Sequence, residues 1–388
     1  MVLNHPLVWI WLSQLCLSLG MNLTNPILPL YASSFGISYS MVGLVVSSFG
    51  FTRIFMEIPG GLLADRVRKK SIILVGYILT TGSHIIALLA HTYLELIVSC
   101  MISGIGSALM LTASLIYVGS IAAPFQRAKY IALFQSTFFI SGIVGPTLGG
   151  VISEWSSLRS IFGVSTIFSI VGIVLLLPMK EQVDASQSIG APLRTTVLLD
   201  VLRNPKVLAL GGACFVLFFL FTSIRGTMIP LYGTDTLALT SMQIGLLFSV
   251  TSLIIMVMLL FISHRLERFV RRSVLLPFSL LFCSVSVFLI AFAADFPSFI
   301  LVLVPLSIGL GILQPLPFAM VGDYAQPKTM GITMGVLRTV GDLGIILGPI
   351  IVGWLLDLDH DLYVFYLISA IVGLFSLVTW VVFIKRKQ

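Results

Sequence analysis

The sequence predicts an all-α polytopic membrane protein, with twelve transmembrane helices in two pseudo-symmetric six-helix bundles. Three observations carry this prediction: the composition, the length of the apolar runs and an internal repeat. Of the 388 residues, 58% are hydrophobic and 10% are charged, whereas an average soluble domain has about 25% charged residues. The mean hydropathy of +1.10 agrees, so the chain is expected to lie in lipid.

Twelve apolar runs approach or exceed the roughly 20 residues that a spanning helix needs. These predicted spans, numbered 1 to 12, are 7–31, 40–64, 71–90, 95–122, 129–152, 159–178, 207–231, 240–263, 273–293, 298–322, 329–355 and 362–384. Helices are expected because a barrel strand needs only about 10 residues. The first run is too long and too poorly flanked for a cleaved signal peptide.

The basic residues predict how the chain is oriented. Most of the 22 Lys and Arg residues lie in alternate loops, beginning with the loop after span 2, and only Arg159 lies in the opposite loops. By the positive-inside rule, both termini are expected in the cytoplasm of a plasma (inner) membrane protein. The net charge of +7 is explained in this way, and no nucleic-acid partner is predicted.

The halves of the chain repeat each other. Ile27–Tyr31 matches Met228–Tyr232 at an offset of 201 residues, and Asp65–Ser71 matches Glu267–Ser273 at 202. Such a shift indicates two copies of one topology related by an axis along the membrane normal, with a substrate path between them. The polar stretch 180–206 is therefore predicted to link an N-terminal bundle, 1–179, to a C-terminal bundle, 207–388.

Two motifs resemble those of the major facilitator superfamily, and the resemblance covers essentially the whole chain. The loop after span 2 is similar to motif A of that family and is carried by Gly61, Leu63, Ala64, Asp65, Arg66, Lys69 and Lys70, with Arg68 at a position where the motif has Gly. Span 5 is similar to motif C of proton-driven antiporters and carries Gly145, Pro146, Gly149 and Gly150, with Ser141 in place of the first Gly. The resemblance implies a secondary active transporter of the drug/proton antiporter branch.

The two copies of motif A are predicted to act as gating latches. Asp65 can cap a neighbouring helix, and the cations can hold an acidic group across the loop. In resembling proteins that acid ends helix four, where this chain has Ser120. The second half does have an acid there, Asp323, which could pair with one of its basic residues; that latch comprises Glu267, Arg268, Arg271, Arg272 and Asp323. The alternative is that the basic residues are topology signals only.

Motif C is predicted to form a packing surface and a hinge. Gly145, Gly149 and Gly150 leave a groove for a neighbouring helix, and Pro146 removes a backbone donor and favours a bend. Close packing without a role in coupling is the alternative for each glycine.

Two helices each carry an Arg and an acid four residues apart, within the predicted spans. These are Arg53 and Glu57 in span 2, and Arg338 and Asp342 in span 11. Buried charges are costly and are functional candidates. If the two helices face each other, as the resemblance implies, Arg53 reaches Asp342 and Glu57 reaches Arg338. The ion pairs of this charge clamp would break during alternating access, and its two acids, Glu57 and Asp342, would carry protons. The alternative is that each Arg pairs within its own helix.

Spans 1, 4, 7 and 10 surround the substrate path if the resemblance holds. Their candidate cavity residues are Asn22, Asn25, Tyr117, Phe218, Phe219, Arg225, Gln314 and Met320. Phe and Met adapt to varied apolar ligands. Any single aromatic could instead face lipid or the core, and Arg225 could snorkel or hold an anionic group of the substrate.

The predicted function is proton-coupled efflux of amphipathic or drug-like small molecules by a monomer in contact with membrane lipids. No motif of a hydrolase, nucleotide-binding or metal site is found, so neither an enzyme nor a cofactor is expected. Efflux members usually carry Arg and Gln in helix four, where this chain has Cys100 and Ser103. That departure leaves two alternatives open: a uniporter or importer of a small metabolite, and a lipid or glycolipid flippase.

Overall fold

The computed structural model describes residues 6–122, 126–179, 203–324, 330–358 and 361–384. Within these ranges the regular structure is helical, without strands, as predicted. The helices, numbered here as the predicted spans, are α1 Pro6–Thr24, α2 Tyr39–Arg66, α3 Lys69–Leu89, α4 Tyr93–Ile121, α5 Arg127–Trp155, α6 Ser160–Leu176, α7 Pro205–Asp235, α8 Ser241–Phe269, α9 Arg272–Ile290, α10 Phe296–Tyr324, α11 Met330–Leu356 and α12 Asp361–Phe383. Apart from α6, which has 17 residues, each is long and apolar enough to cross a membrane, so the chain is a multi-pass membrane protein.

The first predicted span is interrupted in the structure. α1 ends at Thr24, and a short helix, Leu28–Ser33, follows after a turn. Pro26 explains the break, because proline has no backbone N–H and disfavours helical geometry at the preceding residue. In α5, by contrast, the helix continues through Pro146 to Trp155.

Two of the helices contain π-helical stretches that the sequence pattern did not indicate. In α7 the stretch is Leu220–Met228, and the Ile229 N–H donates to the Ile224 carbonyl, five residues back. In α8 it is Met258–Ile262. Pro230 cannot donate to a carbonyl of the preceding turn, which favours a change of hydrogen-bond register before it. α10 is divided at Gln314 and Pro315 into Phe296–Leu313 and Leu316–Tyr324 for a similar reason.

The chain divides into two compact units. One comprises 1–189 with 240–249, and the other 190–239 with 250–388. The first turns of α8 thus pack with the N-terminal unit. The predicted linker, 180–206, lies largely outside the described residues, and the six-helix halves stay a prediction.

Three helix pairings of the first unit recur in the second. In the first, α1 packs on α5, α3 on α4 and α3 on α6; in the second, α7 packs on α11, α9 on α10 and α9 on α12. Large side chains such as Tyr77, Tyr117 and Phe134 fill the first core. One buried hydrogen bond lies inside it: Tyr77 donates to Gln14 Oε1 at 3.1 Å. The internal repeat in the sequence is therefore a repeat of helix packing.

Candidate functional site

The basic cluster after α2 is partly built into the fold. Lys69 is 4% exposed, and Lys70 Nζ donates a hydrogen bond to the Leu177 carbonyl at 2.7 Å. A cation at this position complements the negative end of the α6 dipole. The surroundings of Gly61 and the side chains of Asp65 and Arg66 lie outside the described part of the chain. Lys70 therefore caps the C-terminal end of α6.

At the position where resembling proteins have an acid, Ser120 bonds within its own helix. Its hydroxyl donates to the Tyr117 carbonyl at 2.8 Å. A serine cannot form an ion pair with the cluster after α2, as the sequence indicated.

In the second half, one arginine joins two acidic side chains. Arg272 lies 2.9 Å from Glu267 Oε2 through Nη2 and 3.4 Å from Asp323 Oδ2 through Nη1. Its Nε also donates to Glu267 Oε2 at 3.0 Å, so the guanidinium donates two hydrogen bonds to one carboxylate oxygen. Of the three arginines that could have met Asp323, the structure brings Arg272 to it. Arg268 and Arg271 are exposed.

The motif C glycines of α5 lie directly on the backbone of α1. A Cβ added at Gly145 would come within 2.8 Å of Asn22 Cβ, and one at Gly149 would overlap the Leu23 carbonyl. Asn22 Nδ2 donates to Ser141 Oγ at 3.1 Å, so Ser141 adds a polar contact at the place of the first motif glycine. The two helices approach at backbone distance, as small residues permit.

An adjacent side of the same α5 segment meets the first turns of α8. A Cβ at Gly150 would overlap Ser241, and a Cβ at Gly245 would overlap the Pro146 carbonyl. Gly245 is itself buried in this contact, and α5 is a continuous helix where Pro146 meets it. We refer to this contact, between 146–154 and 241–249, as the α5–α8 seam.

A polar contact lies at each end of the seam. Thr147 Oγ1 donates to Ser249 Oγ at 2.7 Å, and the Thr147 N–H donates to the same oxygen at 3.2 Å. Glu154 Oε2 accepts from the Met242 N–H at 3.0 Å. A carboxylate at the start of a helix is favoured by the helix dipole. Motif C therefore contacts both α1 and α8.

Of the four intramembrane charges, the structure pairs two within one helix. Arg53 Nη2 lies 3.4 Å from Glu57 Oε1, and both side chains are about one-fifth exposed, at 21% and 18%. On α11, Arg338 is exposed, whereas Asp342 is 2% exposed. The Arg53–Glu57 contact corresponds to the alternative in which an Arg is satisfied by its own helix.

The predicted cavity residues fall into different environments. Tyr117 and Met320 are 1% and 0% exposed, inside the cores of their own units. Phe218 and Phe219 pack on α11, where a Cβ at Gly341 would come within 2.5 Å of the Phe218 ring. Asn25 donates to Asn22 Oδ1 at 3.3 Å. Gln314 lies at the break in α10, and its buried Oε1 has no hydrogen-bond partner among the described residues.

Arg225 is held inside the second unit by hydroxyl groups of α8. Its Nε donates to Thr251 Oγ1 at 3.2 Å and its Nη2 to Ser252 Oγ at 2.6 Å. The guanidinium lies 5.3 Å from the centre of the Phe221 ring. These contacts fix its orientation against α8. The residue lies in the π-helical stretch of α7.

Sequence reasoning did not foresee the partners of Arg225 or the α5–α8 seam. Thr251 and Ser252 lie in an apolar run, where single hydroxyl groups are common and carry no pattern. Gly245 did carry a signal, since Gln243–Leu246 repeats Met41–Leu44 of the first half. No group of three or more His, Cys, Asp and Glu side chains that could hold a metal ion occurs in the described ranges.

The chain is similar to known proteins along essentially its whole length. The family model described as Major Facilitator Superfamily matches residues 10–266 and 216–388. The chain is 24% identical over 390 residues to "Quinolone resistance protein NorA" of Staphylococcus aureus (strain COL), covering 100% of this chain and 97% of that protein. It is 22% identical over 376 residues to "Multidrug resistance protein 1" of Bacillus subtilis (strain 168), covering 93% and 92%.

Solved structures share the fold at low identity. A POT family transporter in complex with a thioalcohol-conjugated peptide gives a TM-score of 0.81 at 16% identity, covering 97% of this chain and 95% of that one. The human organic anion transporter MFSD10 (TETRAN) gives 0.69 at 18%, covering 97% and 99%.

Proposed function

This chain belongs to the Major Facilitator Superfamily, and we propose that it is a secondary active transporter that exports amphipathic or drug-like small molecules. The observation that carries the proposal is the full-length likeness to two resistance proteins, NorA and Multidrug resistance protein 1. Both likenesses extend over more than nine-tenths of each chain, so they include both repeats and the helices expected to surround the substrate. The family is one of transporters rather than enzymes.

Motif C supports an export mechanism through its contacts. The Gly149 side of α5 lies on α1, and the Gly150 side lies on α8. Side-chain-free surfaces of this kind let helices slide or separate without displacing side chains. We propose that the α5–α8 seam is the gate on one face of the membrane. Two latches would gate the other face: the one around Arg272, and motif A with Gly61, Asp65, Arg66, Lys69 and Lys70.

Proton coupling would require an acid whose environment changes during transport. Burial raises a carboxylate pKa, and a neighbouring Arg lowers it. We propose that Asp342 and Glu57 carry protons in this way, with Arg53 and Arg338 as their alternating partners. In this mechanism the Arg53–Glu57 contact within α2 is one of two pairings, and Arg53–Asp342 is the other.

Charge reversal tests the clamp. Arg53→Asp and Asp342→Arg would each lose transport, and the double variant would recover part of it. Failure of the double variant to recover any activity, in protein that is correctly folded, would remove the cross-half pair from the mechanism. Substrate binding by the single variants separates a loss of coupling from a loss of the site.

The proposed substrate path is lined mainly by apolar side chains with a few polar ones. Phe218, Phe219 and Met320 would supply adaptable contacts, whereas Asn22, Asn25, Tyr117 and Gln314 would orient the ligand. We propose that Arg225, oriented by Thr251 and Ser252, meets an anionic group of the substrate. Both termini would be cytoplasmic, the chain would act as a monomer, and bilayer lipids would surround it.

A second candidate is a uniporter or importer of a small metabolite. Cys100 favours it, because this buried thiol stands where efflux members usually carry a charged Arg. A thiol in an apolar interior cannot replace a guanidinium in proton coupling.

Transport by purified protein in liposomes distinguishes the candidates. With an imposed pH gradient, an exporter coupled to protons would move amphipathic cations or anions uphill, and collapse of the gradient would stop the movement. Downhill transport of one compound, unaffected by the gradient, would instead support the uniporter. A panel that includes a quinolone, a lipophilic cation and simple metabolites covers both outcomes.

A further inference from the structure

The end of α8 presents a surface of arginines that the fold does not use. Arg265, Arg268 and Arg271 are all exposed, and none has a hydrogen-bond or ion-pair partner among the residues that the structure describes. Their neighbour Arg272 is different, because Glu267 and Asp323 hold it. The proposed gating latch therefore requires Arg272 and leaves three cations without an assigned role.

These cations are close enough to repel one another. Arg265 and Arg268 are three residues apart on the last turn of α8, so they lie on the same helix face. Arg271 follows in the short connection to α9, which begins at Arg272. Like charges at this spacing are unfavourable, and a bound anion would relieve the repulsion.

An aromatic side chain stands among the arginines. Phe269, between Arg268 and Arg271, is 87% exposed, whereas Phe299 and Phe365 of the same unit are fully buried. α8 has 29 residues, whereas about 20 span the hydrocarbon layer, so its last turns reach the depth of the lipid headgroups. An exposed Phe between arginines at that depth is typical of an interfacial anchor.

The basic cluster in the first half differs in the burial and in the hydrogen bonding of its lysines. Lys69 is buried, and Lys70 is bonded to the Leu177 carbonyl. The two repeats have therefore diverged: Lys69 and Lys70 of the first are built into the protein, whereas Arg268 and Arg271 of the second face outwards.

We propose that Arg265, Arg268, Phe269 and Arg271 form a binding surface for the headgroup of an anionic phospholipid. The guanidinium groups bind the lipid phosphate, to which they can donate paired hydrogen bonds. The Phe269 ring inserts between the acyl chains beside it. Lipid binding at this surface does not depend on which compound is transported.

Native mass spectrometry of the full chain, titrated with phosphatidylglycerol or phosphatidylcholine, tests this surface. We expect tighter binding of phosphatidylglycerol, and a preference that declines as salt rises because exposed charges are screened over about 10 Å at 0.1 M. Each Arg→Gln change should weaken phosphatidylglycerol binding about fivefold, equivalent to about 1 kcal/mol. Phe269→Ser should weaken the binding of both lipids.

Two controls separate lipid recognition from damage to the fold. Lys129→Gln removes an exposed cation at the start of α5 and should leave the preference unchanged. Arg268→Lys keeps the charge and should retain most of the binding that Arg268→Gln loses. Equal binding of the two lipids by the unmodified protein would overturn the proposal. So would full phosphatidylglycerol preference in the triple Arg→Gln variant, or an equal loss in Lys129→Gln.

Discussion

Thr147 on α5 and Ser249 on α8 are joined by a side-chain hydrogen bond of 2.7 Å. One turn earlier on α8, Gly245 lies against the Pro146 carbonyl with no room for a methyl group. The two helices are therefore in backbone contact along the α5–α8 seam, held by a hydroxyl pair and by the Glu154 contact to the Met242 N–H. The gate proposed at this seam would depend more on the closeness of the two helices than on charge.

Gly245→Ala should keep the seam from closing. Overpacking costs about 1–3 kcal/mol, which corresponds to a population shift of about tenfold for each 1.4 kcal/mol. We expect slower export and a more reactive Ser249→Cys, measured with a membrane-impermeant thiol reagent in protein lacking the four native cysteines. Gly335→Ala is the control, because nothing lies within 4 Å of a Cβ built there. Equal reactivity in the two variants would contradict a closeness-dependent gate.

Gly149→Ala should destabilise the first unit. The new Cβ would overlap the Leu23 carbonyl, which is backbone and cannot rotate away. We expect a loss of about 1–3 kcal/mol, seen as a lower unfolding temperature of the purified protein. Gly82→Ala, where a Cβ would meet open space, should be neutral or slightly stabilising, since Ala favours helix. Comparable losses in both variants would contradict the assignment of the loss to the α1–α5 contact.

The spans could be predicted because burial in lipid requires long apolar helices, and the offset of the repeat gave the pairing of equivalent helices. Helix breaks and π-helical stretches were less predictable. Pro26, Pro230 and Pro315 each mark a place where the helix changes, yet Pro146 marks none. A proline removes one donor in every case, and only the packing around it decides whether the helix breaks, rewinds or continues.

Among the site residues, the sequence identified charges more readily than it identified their partners. Asp323 was placed opposite three arginines, and geometry selects Arg272. The hydroxyl partners of Arg225 could not be foreseen, because Thr251 and Ser252 resemble the many other small polar residues of the spans. Side-chain pairs that depend on how each helix is rotated cannot be predicted from the sequence alone.

Glu267→Gln should cost more stability than Asp323→Asn. Glu267 receives two hydrogen bonds from Arg272, at 2.9 and 3.0 Å, whereas Asp323 lies 3.4 Å away. The Glu267 side chain is also less exposed, at 20% against 48%. Pairs exposed to this degree contribute about 0–1 kcal/mol, so thermal unfolding of both single variants and the double variant is the suitable measurement. A larger loss from Asp323→Asn would reverse the assignment.

Asp295, just before α10, should make stability depend on pH. Hydrogen bonds from the Ser298 hydroxyl and backbone N–H lower the pKa of this carboxyl. A carboxyl with a lowered folded-state pKa stabilises the protein above its unfolded pKa and loses that effect as pH falls through the folded value. Unfolding temperature should therefore decline less steeply with acid in Asp295→Asn, which caps the helix without titrating. Identical acid profiles for the two proteins would exclude a contribution from this cap.

Arg225→Gln should reduce transport of anionic substrates selectively. The guanidinium is oriented by Thr251 and Ser252, and a hydrogen bond to a charged group contributes about 1.5–3 kcal/mol, equivalent to roughly 10- to 100-fold in affinity. We expect a loss of that size for a carboxylate substrate and little change for its methyl ester, measured as the concentration that gives half-maximal transport. Arg225→Lys, which keeps the charge but not the fork of donors, should fall between them. An equal loss for acid and ester would assign Arg225 to the packing of α7 on α8, because a structural defect cannot distinguish two ligands that differ by one charge.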